Sequence, residues 1–249
     1  MSDRSRIEWT EATWNPTTGC DRVSPGCDNC YALALSRRLK AMGVSKYCND
    51  GDPRTSGPGF GLTCHPDALD QPRGWRSPRL VFVNSMSDLF HRRVPIAFIR
   101  DVFAVIDDTP RHTYQLLTKR SSRLARIADS LEWPANLWIG VSIETDRYTF
   151  RARDLASVEQ ASVRFLSCEP LLGALPSLSL DGIDWVIAGG ESGPSYRPVE
   201  LNWVRSLRDQ CTSADVPFFF KQWGGRTPKA GGRLLDGQIH SDMPVRHAS

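Results

Sequence analysis

Six short apolar runs, each closing in polar residues, alternate with helical patterns after residue 79, and this alternation predicts an α/β fold on parallel strands. Two further observations sharpen the expectation. Runs that are apolar on both faces belong to a parallel sheet covered on both sides, and one more strand in IEWTEATW (7–14) brings the count to about seven β/α units. The predicted architecture is a single-domain TIM-like (β/α) barrel over residues 1–249, complete or incomplete.

In chain order, the first strand leads into GCDRVSPGCDNCYA (19–32) and then a helix from about Tyr31. Residues 48–78 are dense in Gly and Pro and show no periodicity. They read as a long insertion before the second strand, of a length that is usually functional or disordered. The strands that follow are RLVFV (79–83), YQLL (114–117), LWIGV (137–141), VRFL (163–166), DWVIA (184–188) and PFFFK (217–221). Helical patterns cover about 95–107, 121–130, 146–159 and 200–213, with Ser121 and Asn202 placed to cap two of them. Cys211 falls in the last of these as core filling. The link 169–183 is too rich in Pro and Gly for a full helix, and the tail 226–249 reads as irregular.

No apolar run approaches the roughly 20 residues needed to span a bilayer, and MSDRSRIEWTEATW lacks the pattern of a secretory signal, so the expectation is a cytoplasmic protein without membrane contact. A net charge of +3 does not by itself argue for nucleic acid. Clusters at Arg37, Arg38 and Lys40, at Arg73, Arg76 and Arg79, at Arg92 and Arg93, and at Lys119, Arg120, Arg123 and Arg126 keep that partner open.

Seven cysteines is an odd count, and in a reducing compartment clustered thiols are more often metal ligands or catalytic groups than disulfides. Cys20, Cys27 and Cys30 form C-x6-C-x2-C across a Ser-Pro-Gly turn, with a helix start aimed at the thiols. Three thiolates can hold a 4Fe-4S cluster with one iron open. Zinc would need a fourth ligand, for which Cys48, Cys64 and His65 are candidates.

Each strand ends in NSMSD (84–88), TKR (118–120), SIE (142–144), SCEP (167–170), GGESG (189–193) or KQWGG (221–225), and such ends are where parallel sheets bind ligands. Lys119 and Arg120 are placed to take a carboxylate or phosphate. Asp88, Glu144 and Glu169 supply opposite charge, so pairing with Lys119, Arg120 or Lys221 is the default. Gly189 and Gly190 permit close backbone approach, Glu191 can accept from an amine or hydroxyls, and Trp223 either closes over a base or packs on the rim. No P-loop, HExxH or GxSxG motif occurs.

A three-cysteine loop after the first strand resembles the radical S-adenosylmethionine enzymes, from whose usual C-x3-C-x2-C spacing this chain departs. IEWTEATWNPTTGC, SPGCDNCYA, FVNSMSDLFH, LTKR, the segment Glu169 to Gly173, DWVIAGGESG and FFFKQWG together resemble a phage-associated family of unknown function, whose tail pattern differs from LDGQIHSDMP here. The first resemblance implies Cys20, Cys27 and Cys30 as cluster ligands, S-adenosyl-L-methionine as a second cofactor, an external electron donor and Tyr31 near the adenine. Its glycine motif follows a different strand, so Gly189, Gly190 and Glu191 are cofactor contacts on their chemistry alone. Lys119, Glu169 and Glu191 are the candidate catalytic residues for an unknown substrate, a nucleic acid or nucleotide among the options. The alternative is a nucleic-acid-binding or hydrolytic protein with a closed structural metal site of zinc or 4Fe-4S.

Overall fold

The computed structural model describes residues 7–227 and 229–245. Contacts divide the chain into two compact units. One holds the described residues up to Trp138 together with Gln160–Ser162, and the other holds Ile139–Glu159 and the described residues from Val163 on.

The first unit contains β1 (Ala12–Trp14), β2 (Thr17–Thr18), α1 (Tyr31–Ala41), β3 (Thr63–Cys64), β4 (Leu80–Val83), α2 (Ile96–Asp107), β5 (Thr113–Thr118) and α3 (Ser121–Ile127). Strand β6 (Leu137–Ser142) begins in this unit and ends in the next. The second unit adds α4 (Phe150–Ala156), β7 (Val163–Cys168), β8 (Trp185–Gly189), α5 (Leu201–Ser213) and β9 (Phe218–Gln222). The seven parallel strands, β1 and β4 to β9, follow chain order in the sheet, which is the topology of an incomplete TIM-like barrel. Strands β2 and β3 form a separate antiparallel pair with Thr17 opposite Cys64.

In the first unit Trp14 pairs with Val83 and Phe82 with Gln115. The helix α2 forms because IAFIRDVFAVID repeats its apolar residues at helical spacing, burying Phe98, Ile99, Val102, Phe103, Val105 and Ile106. Each such side chain contributes about 1.5–3 kcal/mol over leaving it exposed. The Tyr114 hydroxyl meets Thr109 Oγ1 just past the end of that helix at 2.6 Å. The insertion 48–78 carries only short 3-10 turns and β3, yet it is packed: Trp14 Nε1 donates to the Ala68 carbonyl at 2.8 Å.

In the second unit β8 runs between β7 and β9, with Leu166 opposite Val186 and Ile187 opposite Phe219. Trp185 packs against Phe165 and Phe219, and its Nε1 donates to the Asp242 carbonyl at 2.8 Å. The described part of the tail is irregular, as its Gly content suggests, yet it is packed against β9 and α5. Phe219 bridges Ser241 in antiparallel fashion, Phe220 N donates to the His240 carbonyl at 3.1 Å, and Arg205 and Arg208 pair with Asp236.

The cap assignments do not hold. Arg120 and Glu200 occupy the N-cap positions of α3 and α5 without side-chain caps, and Ser121 and Asn202 lie inside the helices. Thr118 explains the first case, because its Oγ1 accepts from Arg120 N at 2.9 Å and so turns the chain before Ser121. No helix among the described residues is long and apolar enough to cross a membrane.

Candidate metal centre

The cysteine loop leaves the carboxyl end of β1. Gly19 N donates to the Met86 carbonyl, and Gly19 bridges Ser87 in parallel, so the loop starts beside the segment that follows β4. Ser24, Pro25, Gly26 and Cys27 close a single 3-10 turn through Cys27 N to Ser24 O at 2.9 Å. Cys30 then stands at the N-cap of α1.

Cys20 and Cys30 pack against one apolar wall of Ala32, Leu33, Tyr47, Phe60 and Met86. Burial pushes the Cys20 thiol up to about 12, opposed by the Arg120 guanidinium. Burial also raises Cys30, opposed by the Leu33 and Ala32 backbone N–H groups at the helix start and by the charge of Lys119. Cys27 is close enough that its thiolate disfavours ionisation of both neighbours. Ser24 Oγ lies 3.9 Å from its sulfur.

Arg120, just past β5, reaches this loop. Its Nη1 stands 3.3 Å from Cys20 Sγ and 2.9 Å from Asp88 Oδ2, and its Nη2 donates to the Asp21 carbonyl at 3.0 Å. Asp88 is fixed in turn by Thr118 Oγ1 at 2.7 Å, Phe90 N at 3.0 Å and Lys119 N at 3.1 Å. The carboxyl ends of β1, β4 and β5 thus converge on Cys20. Beside them, Asp21 accepts from His91 Nε2 at 2.7 Å and Thr55 Oγ1 at 2.8 Å, while Arg22 N donates to the Thr55 carbonyl at 2.9 Å. The insertion is thereby tied down over the loop.

Asp21 and His91 carry no motif, and their pairing was missed; the one signal is that each sits next to a feature of interest, Asp21 after Cys20 and His91 at the close of FVNSMSDLFH. Tyr31 opens α1 as a residue 55% exposed, its hydroxyl donating to the Ser85 carbonyl at 2.5 Å. Of the alternative ligands, Cys48 is exposed, Cys64 lies on β3 and His65 Nε2 contacts Thr18 Oγ1 at 2.8 Å.

The second unit gathers a different set. Glu169 after β7 pairs with Lys221 on β9 at 2.5 Å, and its side chain lies beside Gly189, at an ordinary contact distance of 3.4 Å from where a Cβ would stand. Glu191 is taken up by Arg197, which binds both carboxylate oxygens at 2.9 and 2.5 Å. A Cβ on Gly190 would come within 2.0 Å of the Trp223 carbonyl, so that glycine serves the chain's own backbone. Trp223 itself packs edge-on to Phe220 and donates to the Leu234 carbonyl. Glu144 pairs with Arg151 at 3.1 Å. The pairing is local: Arg151 stands in the first turn of α4 just past the turn at 146–148, lies over the Tyr148 ring and also binds the Ser142 carbonyl.

Among the described residues no three His, Cys, Asp or Glu side chains are arranged as a ligand set for a metal ion. The chemistry of the donors nonetheless suits a soft metal: three thiols on one short loop, two of them on a common apolar wall, with cations and N–H groups that oppose the upward push of burial on Cys20 and Cys30.

The family model described as "Protein of unknown function (DUF5131)" matches residues 4–244, and the chain belongs to that family. No curated protein and no solved structure matches.

Proposed function

We propose that this member of a family without an assigned function is an iron–sulfur protein of the radical S-adenosylmethionine type. The observation that carries this reading is the convergence of Cys20, Arg120 and Asp88 at the carboxyl ends of three parallel strands, where such sheets bind ligands. Cys20, Cys27 and Cys30 would hold a 4Fe-4S cluster. When bound, such a cluster supplies a single electron, received from an external donor, for reductive cleavage of S-adenosylmethionine.

The chain's own residues do the rest. Arg120 and Lys119 offset the negative charge of three thiolates, Asp88 holds Arg120 in place, and the insertion limits water at the Cys20 side. Tyr31 offers an exposed ring beside the last cysteine for stacking. Glu169 and Lys221 form a paired acid and base in the second unit, suited to binding or moving a proton on a polar substrate. Exposed Arg22, Arg37, Arg38, Arg92 and Arg93 fit an anionic substrate such as a nucleic acid or nucleotide.

Iron, sulfide and zinc per chain after anaerobic purification test this, with visible spectra taken before and after S-adenosylmethionine. About four irons and four sulfides are expected, lost in Cys27→Ala, with a spectrum that responds to the cofactor. A second reading, a closed structural metal site in a nucleic-acid-binding protein, has one observation in its favour: Cys64 is held opposite Thr17, three residues from Cys20. It requires zinc or a cluster that disappears in Cys64→Ser, no response to the cofactor, and salt-sensitive binding to DNA or RNA.

A further inference from the structure

The guanidinium of Arg120 touches the Cys20 sulfur while two oxygen contacts hold it still, and we propose that Arg120 is the positioning residue that sets the reduction potential of the metal centre. The assignment rests on the iron–sulfur reading of Cys20, Cys27 and Cys30. One Arg120 nitrogen is shared between Asp88 Oδ2 at 2.9 Å and Cys20 Sγ at 3.3 Å; the other is spent on the Asp21 carbonyl at 3.0 Å. Its own backbone N–H is fixed on Thr118 Oγ1, the same hydroxyl that binds Asp88. Only 12% of the Arg120 side chain is exposed, so solvent screens it little.

A brace between strand ends is complete with Asp88 and the Asp21 carbonyl. Placing an N–H on sulfur as well serves the charge on that sulfur. A fixed cation and a donor on a ligating thiolate both stabilise the more negative, reduced cluster, and hydrogen bonds to sulfur are a recognised control of cluster potential. Lys in its place keeps the charge but lacks the fork that reaches Asp88, Asp21 and Cys20 together.

The test is anaerobic reconstitution of the full chain and its R120K and R120M variants with iron and sulfide, followed by titration with dithionite, which gives each cluster one electron. Melting temperature and iron content are recorded beside the potential. For R120M the reduced form should be at least tenfold less favoured at a given potential, a shift of about 59 mV to more negative values for one electron, with R120K between it and the parent. Equal potentials in proteins carrying equal iron overturn the assignment. If R120M takes up no iron, R120K decides on the same criterion. A parent chain that forms no iron–sulfur centre overturns the iron–sulfur reading and this assignment with it, a failure distinguishable because no cluster is then present to titrate.

Discussion

Gly19 shows how much of the site hangs on one backbone position. Its φ of +82° lies in the left-handed region, and a Cβ there would stand 2.2 Å from the Gly61 carbonyl oxygen. The glycine thus lets the insertion press on the residue before Cys20. Gly19→Ala is expected to cost more than about 1 kcal/mol in urea unfolding and to speed proteolysis within 48–62. An unchanged midpoint would mean that the insertion shifts at no cost. Nothing in the sequence marks this contact, because both partners are glycines and the meeting is backbone on backbone. The three cysteines were legible from spacing. Arg120 was legible as a strand-end cation able to take an anion or pair with Asp88, but its contact with Cys20 was not, since periodicity gives the end of a strand and not the group opposite it.

At the scale of the elements, the strand ends obey a pairing rule that electrostatics alone anticipates: Asp88 finds Arg120 and Glu169 finds Lys221. Lys221→Met leaves the partly buried Glu169 carboxylate without its cation and should cost about 1–3 kcal/mol in denaturant. The double variant Glu169→Gln with Lys221→Met should recover much of that loss, whereas strict additivity would show that the pair is not coupled. All six later strands were legible, because runs such as RLVFV and DWVIA are short, apolar on both faces, rich in β-branched and aromatic residues and bounded by polar ends. The Arg151 partner of Glu144 was not, since it lies seven residues away on a helix and only the turn at 146–148 brings it back. The packing of 48–62 escaped for a related reason. Arg22 N to Thr55 O and Gly61 N to Asn49 O are main-chain bonds, and they leave no side-chain signature.

For the molecule as a whole, three buried histidines of the first unit govern its response to acid. Burial lowers the pKa of His65, His91 and His112, so each stays neutral in the folded chain where an unfolded one would gain a proton near pH 6.5. The unfolded state then binds more protons, and stability falls as pH drops from about 6.5 toward the lower folded values. Melting at pH 5 should come below melting at pH 7.5; a flat profile across that interval would contradict the burial of these rings. The division at Trp138 was not legible, because β/α alternation continues through it without a change of composition or a linker.

The antiparallel segment on β9 has a consequence beyond tidying the tail. Main-chain groups of Phe218 and Phe220 are spent on Asp242 and His240, so this stretch of the last strand's rim is already taken. Another parallel repeat, or a strand from a second molecule, would first have to strip that segment away. The segment is a stop signal written in backbone: it ends the growth of the series on that side and guards three consecutive phenylalanines from becoming a template for aggregation.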